Sequence, residues 1–153
     1  MLKKWESAVH LGFCKRYSVT GNLTPVKIGQ DPFSKYDKIR TLLSDDLKPL
    51  IEIRNTLAHG QWATAFNSRL SNINTLKTAQ LTTENAQTVK AKKRIIESIA
   101  NIINDLIVGG AAFDRDFTYH CNTLHMTSNR LNNIDYENWK QKQISKFHNR
   151  RNN

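Results

Sequence analysis

Residues 83 to 108 hold the longest helical pattern in the chain. Val89, Ile96, Ile99, Ile103 and Leu106 recur along one side, and Gly109-Gly110 closes the segment. Thr82 or Thr83 is the expected cap at its start. A helix of this length with one apolar stripe holds together in water only when other elements cover that stripe. The rest of the chain must therefore supply helices or a sheet to pack against it.

The flanking patterns are helical too. Leu2, Trp5, Val9 and Phe13 share one face of a first helix, about Leu2 to Tyr17, which gives way to the Gly- and Pro-containing loop SVTGNLTPVKIGQDP. Asp31 before Pro32 reads as a helix start, and Phe33, Tyr36, Ile39 and Leu43 carry that helix to about Leu43. Ser44-Asp45-Asp46 reads as a new start, leading to a third helix from Leu47 to His59 with Pro49 in its first turn and Gly60 behind it. Residues 61 to 81 lack a helical period and hold Asn, Ser and Thr clusters, so an irregular stretch or small two-stranded hairpin is expected there. After the long helix, Phe113, Phe117, Leu124 and Leu131 pattern a helix from Ala111. Asp135 starts a short last one with Tyr136, Trp139 and Phe147, fraying into a basic tail over about 148–153. The expectation is an all-α bundle spanning 1–153 as a single domain, with one small interruption.

Composition narrows the function. In 153 residues, 23 Lys and Arg face 13 Asp and Glu, a formal net charge of +10, which favours a polyanionic partner. No apolar run approaches the ~20 residues of a membrane span. The opening MLKKWESAVHLGF is interrupted by Glu6 and His10, which does not fit a secretory signal, so a cytoplasmic protein with no membrane association is expected. Two cysteines do not make a disulfide scaffold.

The segment LKPLIEIRNTLAHGQW stands apart. On a helix, Glu52, Asn55 and His59 fall at i, i+3 and i+7 and form one polar stripe, with Arg54 about 100° away. Leu47, Leu50, Ile51, Leu57 and Ala58 are available to bury the other side. By pattern alone, a solvated face with a histidine placed against the helix dipole explains the stripe better than a site does.

The string Arg54-Asn55-Thr56-Leu57-Ala58-His59 resembles the signature of the HEPN superfamily (higher eukaryotes and prokaryotes nucleotide-binding domains): an arginine, a polar residue, then a histidine after four to six intervening positions. The likeness in detail covers about ten residues, and the all-α setting is consistent with it along the chain. The resemblance implies a HEPN-like helical bundle and, as in many members, a metal-independent endoribonuclease whose site forms where two copies of the motif meet in a homodimer. It implies no cofactor and no metal. His59 would move protons, Arg54 would hold the phosphate, Asn55 would fix one or the other, and Glu52 could orient His59 or Arg54. An imidazole can take or give a proton near neutral pH, and a guanidinium matches phosphate oxygens with a fixed fork of donors. Toxin or antiviral-effector roles against RNA, held in check by an antitoxin or a larger defence complex, are also implied. One departure concerns Gln61, which stands where toxins silenced by a nucleotidyltransferase carry a tyrosine.

Basic residues suited to RNA phosphates are Lys48, Arg69, Lys90, Lys92, Lys93 and Arg94, with Lys140, Lys142, Lys146, Arg150 and Arg151 near the C-terminus. Trp62, Phe66 and Arg69 could stack on an unpaired base or roof the core, and a roof suits Trp62 better. In YHCNTLH, Cys121 and His125 could share an ion, but no second pair completes a tetrahedral set. The six glycines never take the spacing of a phosphate loop. Two readings compete with the nuclease: a non-catalytic helical dimer that binds RNA or a protein partner, and, less well matched, a DNA-binding regulator, whose helix-turn-helix spacing is missing.

Overall fold

The computed structural model describes residues 2–61, 63–67, 69, 71–133 and 135–151. It is all-α: α1 (Leu2–Arg16), α2 (Pro25–Ile28), α3 (Gln30–Thr41), a π-helical segment (Leu42–Leu47), α4 (Lys48–Ala58), α5 (Thr75–Thr82), α6 (Ala86–Ile107), α7 (Ala112–Asn132) and α8 (Tyr136–Arg151). Trp62 and residues 152–153 of the expected tail lie outside the described residues, as do the side chains of 148–151.

α6 is the hub. It packs against α7, α1 and the π segment, and α1 packs in turn on α3. Its Ile95, Ile99, Ile102, Ile103 and Leu106 are buried against Val9 and Phe13 of α1, Ile39 of α3 and Phe113 and Leu124 of α7. Val89, expected on this stripe, is half exposed, because the helix reaches the core only from Ile95 onward. Phe13 organises the aromatic centre, lying edge-on to Tyr36 and to Phe113 with centroids 5.2 and 5.7 Å apart. Phe117 and Leu131 pack at the core's edge, while Phe147 is largely exposed.

Several boundaries differ from the sequence expectation, each for a local reason. The loop after α1 contains the one-turn helix α2, opened by Pro25 at its first position, and tucks Leu23 and Ile28 into the core. α3 begins at Gln30 behind Gly29, so Asp31 and Pro32 sit inside its first turn. Ser44 does not start a new helix: its hydroxyl donates to Thr41 O (3.0 Å) and Asp45 Oδ1 (2.6 Å) within an unbroken rod from Gln30 to Ala58. Pro49 has no N–H to give to the preceding turn and its ring crowds that turn's carbonyl. The backbone widens just before it, with Lys48 N bonded to Leu43 O, five residues back. Leu42, Leu43 and Leu47 of the widened segment are all buried.

The long helix is capped by Asn85, where Thr82 or Thr83 was expected. Asn85 Oδ1 accepts from Gln87 N and Thr88 N, and Thr88 Oγ1 accepts from Asn85 N (2.9, 3.0 and 2.8 Å). Thr82 instead ends α5, an extra helix inside the stretch expected to be irregular. Of the two-stranded hairpin expected there, the described residues show one isolated antiparallel bridge, Phe66 to Ile73, and no strand. The close of α6 at Gly109 and Gly110 is as expected, with Gly109 N bonded to Asp105 O (2.9 Å). α8 is longer than expected, continuing to Arg151 from a start at which Asp135 Oδ1 accepts from Asn138 N (3.0 Å).

Candidate functional site

α4 leaves the core as it proceeds. Leu47 and Leu50 are buried; Ile51, Ile53 and Leu57 are half-buried; Glu52, Arg54, Asn55, Ala58 and His59 are exposed. Ala58 thus does not join the buried side. Thr56 is the buried polar exception, and its hydroxyl donates to Glu52 O (2.9 Å). A helix half out of the core can display a polar stripe without burying charge.

The end of α4 is a Schellman turn. His59 is its last, half-helical residue, and Gly60 follows with φ +74°. Gly60 N bonds to Leu57 O (3.0 Å) and Gln61 N to Thr56 O (3.2 Å), which closes the open carbonyls of the last turn. A left-handed residue is required here, and glycine adopts it without strain. The chain reverses, so Gln61 comes back beside the stripe, and its Oε1 accepts from Phe66 N (2.8 Å).

The hairpin that follows is fastened to α5. Ala65 is fully buried; its N–H donates to Thr78 Oγ1 (3.0 Å) and its carbonyl accepts from Asn74 N (2.7 Å). Asn67 closes the tip, its Oδ1 accepting from Arg69 N and Ser71 N (3.2 and 3.0 Å). Asn74 caps α5 by accepting from Lys77 N (3.0 Å).

Between these parts lies a cleft of about 540 Å³. Glu52, Asn55 and His59 of α4 line it together with Gln61, Phe66, Asn67 and Lys77. Three of the residues singled out in the sequence therefore meet in one concavity. Arg54 does not line it; its Nη1 donates to Asn55 Oδ1 (3.3 Å) at the rim. Phe66, Gln61 and Lys77 are not among the expected catalytic residues, and no spacing in the sequence singles out Lys77. Asn74, three residues before it, is the available signal, since it caps a helix whose first turn holds Lys77.

The other basic residues are distributed. Lys48, Arg69, Lys90, Lys93 and Arg94 are exposed, Lys93 lying 3.5 Å from Glu97. Lys92 is half-buried and ion-paired with Glu84, which also accepts from Thr88 Oγ1, so its charge is already engaged at the start of α6. Lys140 lies 3.7 Å from Glu137. Cys121 is half-buried, and burial pushes its thiol pKa up against a smaller opposing pull from Lys38. His125 Nε2 instead faces Asn129 Nδ2 (3.0 Å), and His120 Nε2 lies 3.3 Å from Asp105. Among the described residues, no three His, Cys, Asp or Glu side chains converge on a metal-sized site, and no helix is long and apolar enough to cross a membrane.

Compared with known proteins, the chain matches no family model, no curated protein and no solved structure.

Proposed function

We propose that this protein is a HEPN-type, metal-independent endoribonuclease that cuts single-stranded or loop RNA, acting as a homodimer of HEPN-like bundles in the cytoplasm. The observation that carries the reading is the shared cleft: Glu52, Asn55 and His59 line one concavity together with a lysine. RNA carries its own nucleophile. His59 takes the proton of a 2′-OH as that oxygen bonds to the adjacent phosphorus. The bond from phosphorus to the 5′-oxygen breaks, and a second imidazole returns a proton to the leaving oxygen. The products are a 2′,3′-cyclic phosphate and a 5′-OH end. Arg54 neutralises the charge that builds on the phosphoryl oxygens.

One chain offers a single His59, and its Arg54 sits on the rim beside Asn55. A second copy across a two-fold axis supplies the second imidazole and brings an arginine over the cleft. The rim position of Arg54 also suits the competing reading, a non-catalytic helical dimer that binds RNA or a protein. A toxin or defence role, with an antitoxin or larger complex as partner, belongs to the same proposal.

Incubation with total RNA in EDTA separates these readings. The parent protein cleaves, and His59→Ala and Arg54→Ala each slow cleavage by ~10²-fold or more with an unchanged circular dichroism spectrum. A His59→Ala protein as fast as its parent removes the assignment.

A further inference from the structure

We infer that the cleft carries a nucleotide-binding subsite on each single chain, in which Phe66 stacks on an unpaired base and Lys77 holds the adjoining phosphate. The inference rests on the RNA reading above, but not on the chemistry of His59 or on a dimer.

Three observations converge. Phe66 is 40% exposed although its backbone makes an isolated bridge to Ile73, and it lines the cleft. Its paired neighbour Ile73 is 58% exposed, which gives the hairpin an apolar face beside the polar wall of α4. An exposed aromatic ring on a hydrogen-bonded backbone is a platform for a base, because the chain that carries it needs little ordering on binding.

Lys77 is placed against its own interest. It stands in the first turn of α5, where no acidic residue accompanies it. A cation there opposes the helix dipole. It is half-buried, yet among the described residues it makes no ion pair, whereas half-buried Lys35 and Lys92 both do. Glu52 lines the same cleft without closing on it. A bound phosphate would satisfy both the dipole and the lysine.

Fixed lips favour single strands. Gln61 holds Phe66 N, Asn67 pins the hairpin tip, and Thr78 and Asn74 clamp Ala65. A base already stacked and paired within a duplex cannot present its face to Phe66.

Fluorescence anisotropy with a short 2′-O-methyl single-stranded oligonucleotide, which binds but cannot be cut, tests the subsite. Phe66→Ala and Lys77→Gln each weaken binding about tenfold, the lower part of the range for a lost stacked base. Lys77→Gln also flattens the dependence of log affinity on log salt by roughly 0.7. Its melting temperature stays level or rises, since a cation has left a helix N-terminus. Parental affinity in both variants, or tighter binding of duplex than of single strand by the parent, overturns the inference. Cleavage is scored separately. A parent that cuts no RNA, yet binds the single strand through Phe66 and Lys77, supports the subsite and removes only the nuclease.

Discussion

Asp114 shows how single side chains hold the bundle's frame around the site. It stands in the first turn of α7 and accepts from Arg16 of α1 (2.5 Å) and Lys35 of α3 (2.9 Å). Arg16 also donates to Gly110 O (2.7 Å) and lies over the Phe113 ring. Burial alone would raise the Asp114 carboxyl, but the hydrogen bonds from Lys35 and Arg16 outweigh it and leave its pKa below the ordinary carboxylate value. A carboxylate more acidic in the folded than in the unfolded chain stabilises the fold above the unfolded pKa of about 3.9 and loses that contribution as pH falls through its folded value. Asp114→Asn should therefore lower stability at pH 7, and the difference should shrink as pH falls below the unfolded pKa and through the lower folded value. With half of the side chain exposed, solvent screening limits the loss to about 1 kcal/mol. Denaturant melts of parent and variant over a descending pH series check this; a loss that stays equal at every pH would mean that the charge is not what Asp114 contributes.

At the scale of elements, the legible parts of the fold were those with a local period. α1, α6 and α7 were readable because their apolar residues, Phe13, Ile99 and Leu124 among them, recur at helical spacing over four or more turns and face a common core. α5 was not, because eight residues make barely two turns and Leu76, one of its two leucines, is 72% exposed. The stripe of Glu52, Asn55 and His59 was legible for the same reason as the helices: its geometry is that of one element. Phe66 and Lys77 reach the cleft through a chain reversal and a hairpin, and no spacing rule records such a return. The start of α6 makes the point testable. Asn85→Ala removes the acceptor for two backbone donors and should cost about 1 kcal/mol in a chemical melt. Thr83→Ala, at the cap position the sequence suggested, should fall within about 0.5 kcal/mol of the parent, because its hydroxyl only donates back to Gln80 O. A larger loss at Thr83 than at Asn85 would place the helix start where the sequence had it.

For the whole molecule, the proposed dimer has a consequence that subunit mixing can read. The site as proposed needs His59 from both chains, so a dimer of one parent and one His59→Ala chain lacks its second imidazole. When equal amounts of the two homodimers exchange at random, parent dimers fall from half of the population to about a quarter, and activity should halve. Activity unchanged after verified exchange would mean that each chain works alone. The net charge of +10 acts at the same scale. A charge of this size would draw any polyanion to the surface without selecting a sequence.

The unbroken rod from Gln30 to Ala58 also sets how this gene can change length. One codon gained or lost among the exposed residues between Tyr17 and Leu23 alters only a connection. The same event between Ile39 and Glu52 would leave a helix intact while turning everything beyond it by about 100°. Glu52, Asn55 and His59 would then face away from Lys77 with their identities unchanged. Variation in length should therefore be found before the rod and excluded from it, and a copy that breaks this rule has lost the cleft even if every motif residue is still present.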